Sequence, residues 1–384
     1  MTFTFLSAAA LFVAVACAAL WHLRWMRRLP TLEDLNEGGA SAAREPIRCS
    51  VIVAARNEEA RLEETVRRLL AQRGVELELI VVDDRSTDRT AAILEQLAKE
   101  DARLRVLRID ALPEGWLGKC HACHIGALAA QGEWILFTDA DCWLKPDVVR
   151  RALLVAEREQ AEHVTLSSGL AVPGPGFRAG SLMFHLSLAN WFSGVNRDRP
   201  KAHLGLGAFN LVRASAYRQC GGYEALRLTV LDDVKLGLLL RRAGKRTRAF
   251  LGANEVEAYW GTCLWDVVPI MEKNYFAALE FSLPLALGVI AFLTLLMGAA
   301  ILGAASRTAT GLAAALSSFF LAIPAAILAR RMGWSWSIAL GVPFVMPVFV
   351  WALLNSTFKT LWRGGIRWRD TFYALETLRA GSVR

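Results

Sequence analysis

Charge-free apolar runs near both ends of this chain restrict its possible folds more than any other feature. Residues 3–21 contain no charged side chain, and comparable runs fill 281–304, 312–329 and 335–354. Each is about the length that a helix needs to cross a bilayer, roughly 18 residues or more. Pro324, Pro343 and Pro347 fall in the last two runs, where neighbouring helices can compensate the lost hydrogen bonds. Hydrophobic residues make up 54% of the 384, and the excess is concentrated in these runs. The stretch between them mixes acidic and basic residues, so a water-facing domain held to a membrane at both ends is expected. The formal net charge is +8, with Arg24, Arg27 and Arg28 directly after the first run. That placement suits cytosolic, membrane-adjacent basic residues, and the mixed signs of the middle exclude a single-signed surface for nucleic acid. No basic segment precedes the first run, so residues 1–23 read as an uncleaved anchor with its N-terminus outside, not as a cleaved signal peptide. The seven scattered cysteines fit a reducing compartment. The string from Cys120 to His124 has the c-type haem spacing, but it opens an apparent helix and reads as helix surface.

Residues 24–47 read as a linker. Order is expected from Cys49-Ser50-Val51-Ile52-Val53-Ala54-Ala55, a buried strand by length and branching. Arg56-Asn57-Glu58-Glu59 turns out of it into a helix with Leu62, Val66, Leu69 and Leu70 at helical spacing. A second strand over 77–82 ends in Asp83-Asp84-Arg85-Ser86-Thr87-Asp88, where Ser86, Thr87 or Asp88 can cap the next helix. A third strand over 104–108, a loop over 113–119, a helix over 120–131 and a fourth strand over 134–137 follow. Strands alternating with helices imply a parallel sheet covered on both faces, and ligands on such sheets sit beyond the carboxyl ends of the strands. Arg56 to Glu58, Asp83-Asp84 and Asp139-Ala140-Asp141 all fall at those ends. In extended chain Asp139 and Asp141 share a side, and two carboxylates there suit Mg²⁺ or Mn²⁺. A plain solvated turn is the competing reading of that pair. No G-x-G-x-x-G follows the first strand and no Walker A string occurs, so a bound diphosphate would need a cation in place of a glycine cradle.

The segments 51–59, 81–88, Gly118-Lys119 and Phe137-Thr138-Asp139-Ala140-Asp141, taken in order, resemble the family 2 glycosyltransferases with the GT-A fold. The resemblance covers about residues 48–260, and it is nearest to bacterial membrane members acting on lipids: hopanoid- and carotenoid-associated and ceramide glucosyltransferase-like enzymes. It implies a nucleotide-sugar donor, UDP-linked, with Asp84 and Glu58 at the nucleotide and Lys119 at the phosphates. It further implies Asp139 at the ribose and the metal–diphosphate, Asp141 on the metal, and Mg or Mn as the cofactor. The segment 205–210, with Gly207 and Asn210, and Gly221-Gly222-Tyr223 resemble the acceptor side, where Trp260 is also expected. Asp232-Asp233 matches the family's acidic pair, which makes Asp233 the general base of an inverting transfer. Helix capping is the plain alternative for Asp83-Asp84 and Asp232-Asp233, and a solvated helix start for Lys119.

Many membrane members carry Gln-x-x-Arg-Trp after the base; here Trp260 and residues 265–274, with Glu272 and Lys273, occupy that region. Residues 171–200 hold Trp191 and Phe192 and read either as core or as an interfacial helix admitting a lipid. The expected organisation is an anchor (1–23), a linker (24–47), a GT-A domain (48–260), an interfacial connector (261–280), membrane helices (281–356) and a basic tail (357–384). The domain is expected in the cytosol, on a multi-pass protein of the cytoplasmic membrane. The basic tail favours a cytosolic end, whereas three crossings after a cytosolic domain would leave it outside; a re-entrant or interfacial segment would reconcile the two. The leading expectation is transfer of a sugar to a hydroxyl of a membrane lipid. Polyprenyl-phosphate glycosylation and a non-catalytic sugar-nucleotide-binding partner are the alternatives.

Overall fold

The structure is a computed structural model, and it describes residues 2–36, 47–172 and 174–383. Its centre is an eight-stranded sheet. From one edge the order is Arg27–Arg28, Thr247–Leu251, His163–Ser167, Asn210–Arg213, Trp134–Asp139, Arg48–Ala55, Glu76–Asp84 and Leu104–Ile109. All neighbours run parallel except Asn210–Arg213, which is antiparallel to both of its partners. The four expected strands therefore form, and the mainly parallel GT-A-like layout holds. Register matters most for the site: Ala54 pairs with Asp139 and Ala55 with Asp83, so the three acidic strand ends lie side by side.

Helices Leu62–Leu70, Thr90–Glu100 and Val148–Arg158 cover one face through Leu62, Leu69, Leu94 and Val149. Helices Gly118–Ala129 and Asp232–Arg242 cover the other through Cys120, Cys123, Leu236 and Leu240. Cys120 and Cys123 are thus core, not surface, which removes them from any haem chemistry. The expected cap of Thr90–Glu100 comes from Asp88, whose Oδ1 accepts the Thr90 N–H at 2.9 Å.

Two expected boundaries change. Within the linker, Arg27–Arg28 joins the sheet edge and Leu32–Asn36 is a short helix with Leu35 buried, while residues 37–46 lie outside the described ones. The basic tail is also folded. The last long helix ends at Arg363, Gly365–Trp368 and Thr371–Ala374 form a hairpin, and Leu375–Gly381 packs its Leu378 into the core.

Among the described residues, four helices are long and apolar enough to cross a membrane: Thr2–Leu23, Leu283–Ala305, Ala309–Arg331 and Trp336–Arg363. Helix Pro175–Asn196 lies between the sheet and these helices. Its Phe192 is fully buried with Phe12 and Leu328, because the first apolar helix packs over that face. Phe192 is therefore core and not a bilayer-facing group; Trp191 beside it is partly exposed.

Candidate active site

The turn after the first strand is laced to the turn after the second. Asn57 Oδ1 accepts the Thr87 N–H at 2.8 Å, Thr90 Oγ1 accepts the Glu58 N–H at 2.9 Å, and Asp88 Oδ2 accepts the Glu59 N–H at 3.1 Å. Asp83 does turn work, accepting the Ser86 N–H at 3.1 Å. Asp84 faces the other way and is held by Arg85 at 2.7 Å and Arg56 at 3.9 Å. Gly118 must be small here, since a Cβ would sit 2.4 Å from Asp84 Oδ2.

One residue further, Lys119 reaches Asp139 Oδ1 at 2.7 Å and Asp232 Oδ2 at 3.6 Å. Lys119 is thus no solvated helix start. Burial opposes its charge, but Asp139, Asp232 and Asp233 outweigh that and hold its pKa well above the ordinary lysine value. The same pairing depresses Asp139 despite its burial.

Asp232 and Asp233 divide their tasks. Asp232 is buried and accepts the Tyr223 hydroxyl at 2.9 Å. Asp233 is oriented by two backbone donors, the Gly207 N–H on Oδ2 at 2.7 Å and the Val234 N–H on Oδ1 at 2.8 Å. Burial, then the neighbouring Asp232 charge, push its pKa up to about 6. A Cβ on Gly207 would lie 2.6 Å from Asp139 Oδ2, so glycine allows the two carboxylates to share this pocket.

Asp139, Asp141 and Cys142 each offer an atom within 4.8 Å of the others. Burial, with the charges of Asp139 and Glu58, pushes Asp141 up to about 7, and among the described residues no cationic side chain is ion-paired to it. The Cys142 thiol is driven well above its ordinary pKa by burial and stays protonated. Asp141 without an ion pair, the Asp139 carboxylate that Lys119 keeps ionised, and an inert thiol beside them fit a hard divalent cation.

These groups line one cavity of about 830 Å³, together with Glu58, Asp84, Gly207 and Trp260. Of the expected acceptor side, Asn210 and the segment Gly221-Gly222-Tyr223 are not on its wall. Asn210 lies beneath it, buried, with Oδ1 on His163 Nε2 at 2.5 Å, because it belongs to the central antiparallel strand. Tyr223 supports Asp232 from the core. Other groups join the site from far along the chain. Lys273 lies 3.8 Å from the centre of the Trp368 ring, and burial, then Lys119, bring its pKa down to about 8. The hairpin tip pairs Arg369 with Glu58 and Asp370 with Arg56, and Tyr373 Oη accepts the Gly118 N–H at 3.2 Å. Arg369 and Tyr373 carry no local signal, because only the return of the chain past residue 363 brings them here.

The description "Glycosyl transferase family 2" matches residues 50–221. The chain is 33% identical over 193 residues to beta-monoglucosyldiacylglycerol synthase of Nostoc sp., covering 49% of this chain and 40% of that protein. It is 28% identical over 207 residues to 4,4'-diaponeurosporenoate glycosyltransferase of Staphylococcus haemolyticus, covering 53% and 54%. The matches thus span about half or less of these relatives. Among solved structures, mannosyltransferase PcManGT from Pyrobaculum calidifontis, in complex with GDP-Man and Mn2+, shares the fold at TM-score 0.54 and 18% identity, covering 94% of this chain and 99% of that one. The match runs through the strands whose ends carry Glu58, Asp84, Asp139 and Asp141, and residues 50–221 of this chain are a glycosyl transferase family 2 domain.

Proposed function

We propose that this protein is an inverting glycosyltransferase that moves a sugar from a nucleotide donor, UDP-linked, to a hydroxyl of a membrane lipid. One observation carries the reading: the cavity that holds the carboxylates is also lined by a set of apolar side chains, in this reading an apolar arm. Phe177, Phe184 and Leu188 line that arm with Val267, Met271 and Phe349, the last from a membrane-length helix. A polar end for a nucleotide and an apolar end for a hydrocarbon chain suit a donor from water and an acceptor from the bilayer. Relatives named for glucosyldiacylglycerol and diaponeurosporenoate fit the same acceptor class.

In this reading Asp233, ionised above pH about 6, takes the acceptor's proton as its oxygen attacks the anomeric carbon. The bond from that carbon to the nucleoside diphosphate breaks on the opposite side, which inverts the configuration. General-base help of this kind is worth about 10²–10⁴-fold. The Gly207 and Val234 N–H groups keep the carboxylate aimed. Lys119 and Lys273 supply positive charge to the leaving phosphates. Asp139 and Asp141 would hold a divalent cation, which when bound neutralises diphosphate charge. Glu58 and Asp84 would meet the nucleoside.

The apolar helices would hold the site at the cytosolic face of the cytoplasmic membrane. Arg331 donates to the carbonyls of Leu23 and Met26 at 2.6 and 2.8 Å, so the ends of two of these helices share the catalytic side. Helix Trp336–Arg363 touches that side at both ends: Gly341 approaches Ala179, and Lys359 and Arg363 pair with Glu272. Its other face exposes Phe344, Trp351, Phe358 and Trp362. We read it as lying along the interface while the other three cross, which returns the basic tail to the cytosol.

The test is turnover in lipid nanodiscs with labelled UDP-sugars, Mg²⁺ or Mn²⁺ and a membrane-lipid extract. Wild type should release UDP and label a lipid, and Asp233→Asn should not. Nucleotide binding without transfer to any lipid would contradict the reading.

A further inference from the structure

One face of helix Pro175–Asn196 walls the apolar arm, with Phe177, Gly180, Ser181, Phe184, His185 and Leu188 at helical spacing. His185 is 3% exposed, and only one side of its ring is bonded. Nδ1 lies 2.8 Å from the Ser181 carbonyl oxygen. A carbonyl can only accept, so Nδ1 carries the proton. Burial lowers the imidazole pKa and keeps the ring neutral. Nε2 is therefore a fixed lone-pair acceptor, and it has no partner among the described residues. Ser167 Oγ, in the wall of the same cavity, is likewise unpartnered. Buried polar atoms are paired in native proteins, so an orphan in a side chain that borders a cavity marks a bond that something else completes. Phe184 meets the His185 ring edge-on at 5.8 Å and the Trp260 ring at a tilt at 5.4 Å, so the three rings pack together at this corner.

We propose that His185 Nε2 accepts a hydrogen bond from a second donor group of the acceptor, an O–H or N–H other than the hydroxyl that is glycosylated. The reacting hydroxyl must direct its proton to Asp233, so His185 serves a different group. This rests on the lipid-acceptor reading above and deepens it: the lipid carries at least two donors near its headgroup. An ester or ether oxygen at that place would leave two acceptors facing each other. Sites built around such a bond discriminate strongly against analogues lacking the donor.

The experiment offers nanodisc-held protein, with UDP-sugar and Mn²⁺, three acceptors of matched chain length. These are a 1,2-diacylglycerol with one hydroxyl, a 1-monoacylglycerol with two, and a ceramide with two hydroxyls and an amide N–H. Wild type should favour the last two in kcat/KM by about 10–100-fold, the cost of leaving one buried acceptor unsatisfied. His185→Phe should erase that advantage through KM for the lipid, bringing the two-donor lipids to the level of the diacylglycerol, with KM for the donor unmoved. His185→Gln, whose amide oxygen still accepts, should keep part of it. An equal loss on all three lipids, or an advantage that survives His185→Phe, would overturn the proposal in favour of packing or a buried water. Binding without turnover separates the two readings. The same lipids added to detergent-solubilised Asp233→Asn protein should raise its apparent Tm more when they carry two donors, and adding His185→Phe should cancel the difference. That pattern in a protein that labels no lipid would remove the catalytic reading and keep this one; no difference between the lipids would remove this one.

Discussion

Replacing Asp233 with Asn should make the protein more stable and nearly inactive at the same time. In the folded chain burial and Asp232 raise this carboxyl from its ordinary 3.8 to about 6. A carboxyl raised in this way favours the fold while it is protonated, and the contribution is lost as pH rises through the folded value. Above pH 6 the ionised group therefore opposes folding, by about 3 kcal/mol for a shift of this size. Asn removes the charge, and its amide oxygen can still accept the Gly207 N–H. It gives up one of the two backbone bonds, that from Val234, worth about 1 kcal/mol. Asp233 is only partly buried, so cavity water screens some of the remainder. The expected net gain is at most about 2 kcal/mol at pH 7.5, or roughly 4–8 °C in apparent Tm for a domain of this size. The penalty builds between the unfolded value of 3.8 and the folded value of about 6, so at pH 5 the gain should be smaller by about 1.4 kcal/mol than at pH 7.5. Thermal unfolding in one detergent at both pH values, beside UDP release, measures this directly. Turnover should fall by about 10²–10⁴-fold. A variant less stable at pH 7.5, or equally shifted at both pH values, would refute the assignment of a strained, ionised base.

The same charges set a pH profile: kcat/KM should fall below about 6 as Asp233 protonates and above about 8 as Lys273 loses its proton. Lys273→Arg should abolish the basic limb, because a guanidinium stays charged. Gly207→Ala should cost about 100-fold in turnover with unchanged circular dichroism, since its Cβ would press on Asp139 Oδ2 at 2.6 Å and shift the pocket. Mn²⁺ affinity, read by electron paramagnetic resonance, should decline as pH falls through about 7, where Asp141 takes up its proton. Asp141→Asn should weaken that affinity by about 100-fold or more, beyond what losing an outer-shell partner costs.

The carboxylate end of the cavity was legible because its signals are local. A buried strand followed by an acid is read from a few residues, and parallel pairing then brings Asp84 and Asp139 together without further information. The apolar end was not legible. His185 and Phe184 look like any half-buried helix until the first apolar helix covers Phe192, about two turns on, and leaves the earlier part of the same face to the cavity. Asn210 shows the reverse error: its strand inserts antiparallel at the sheet centre, which no local pattern reports, and carries the side chain behind the wall. The stretch 335–354 matches a crossing helix in hydropathy. The contacts behind its proposed interfacial placement are tertiary: Glu272 pairs with Lys359 and Arg363 near the helix end, which the sequence offers only as a basic tail.

The central claim is that one cavity receives the nucleotide at its carboxylate end and a lipid at its apolar end. Cryo-electron microscopy of the protein in lipid nanodiscs with Mn²⁺ and UDP tests it most directly. The account predicts a cation against Asp139 and Asp141, the diphosphate beside Lys119, and a hydrocarbon chain between Phe184 and Phe349. Nucleotide bound elsewhere, or an apolar arm closed to lipid while the carboxylate end is occupied, would contradict it.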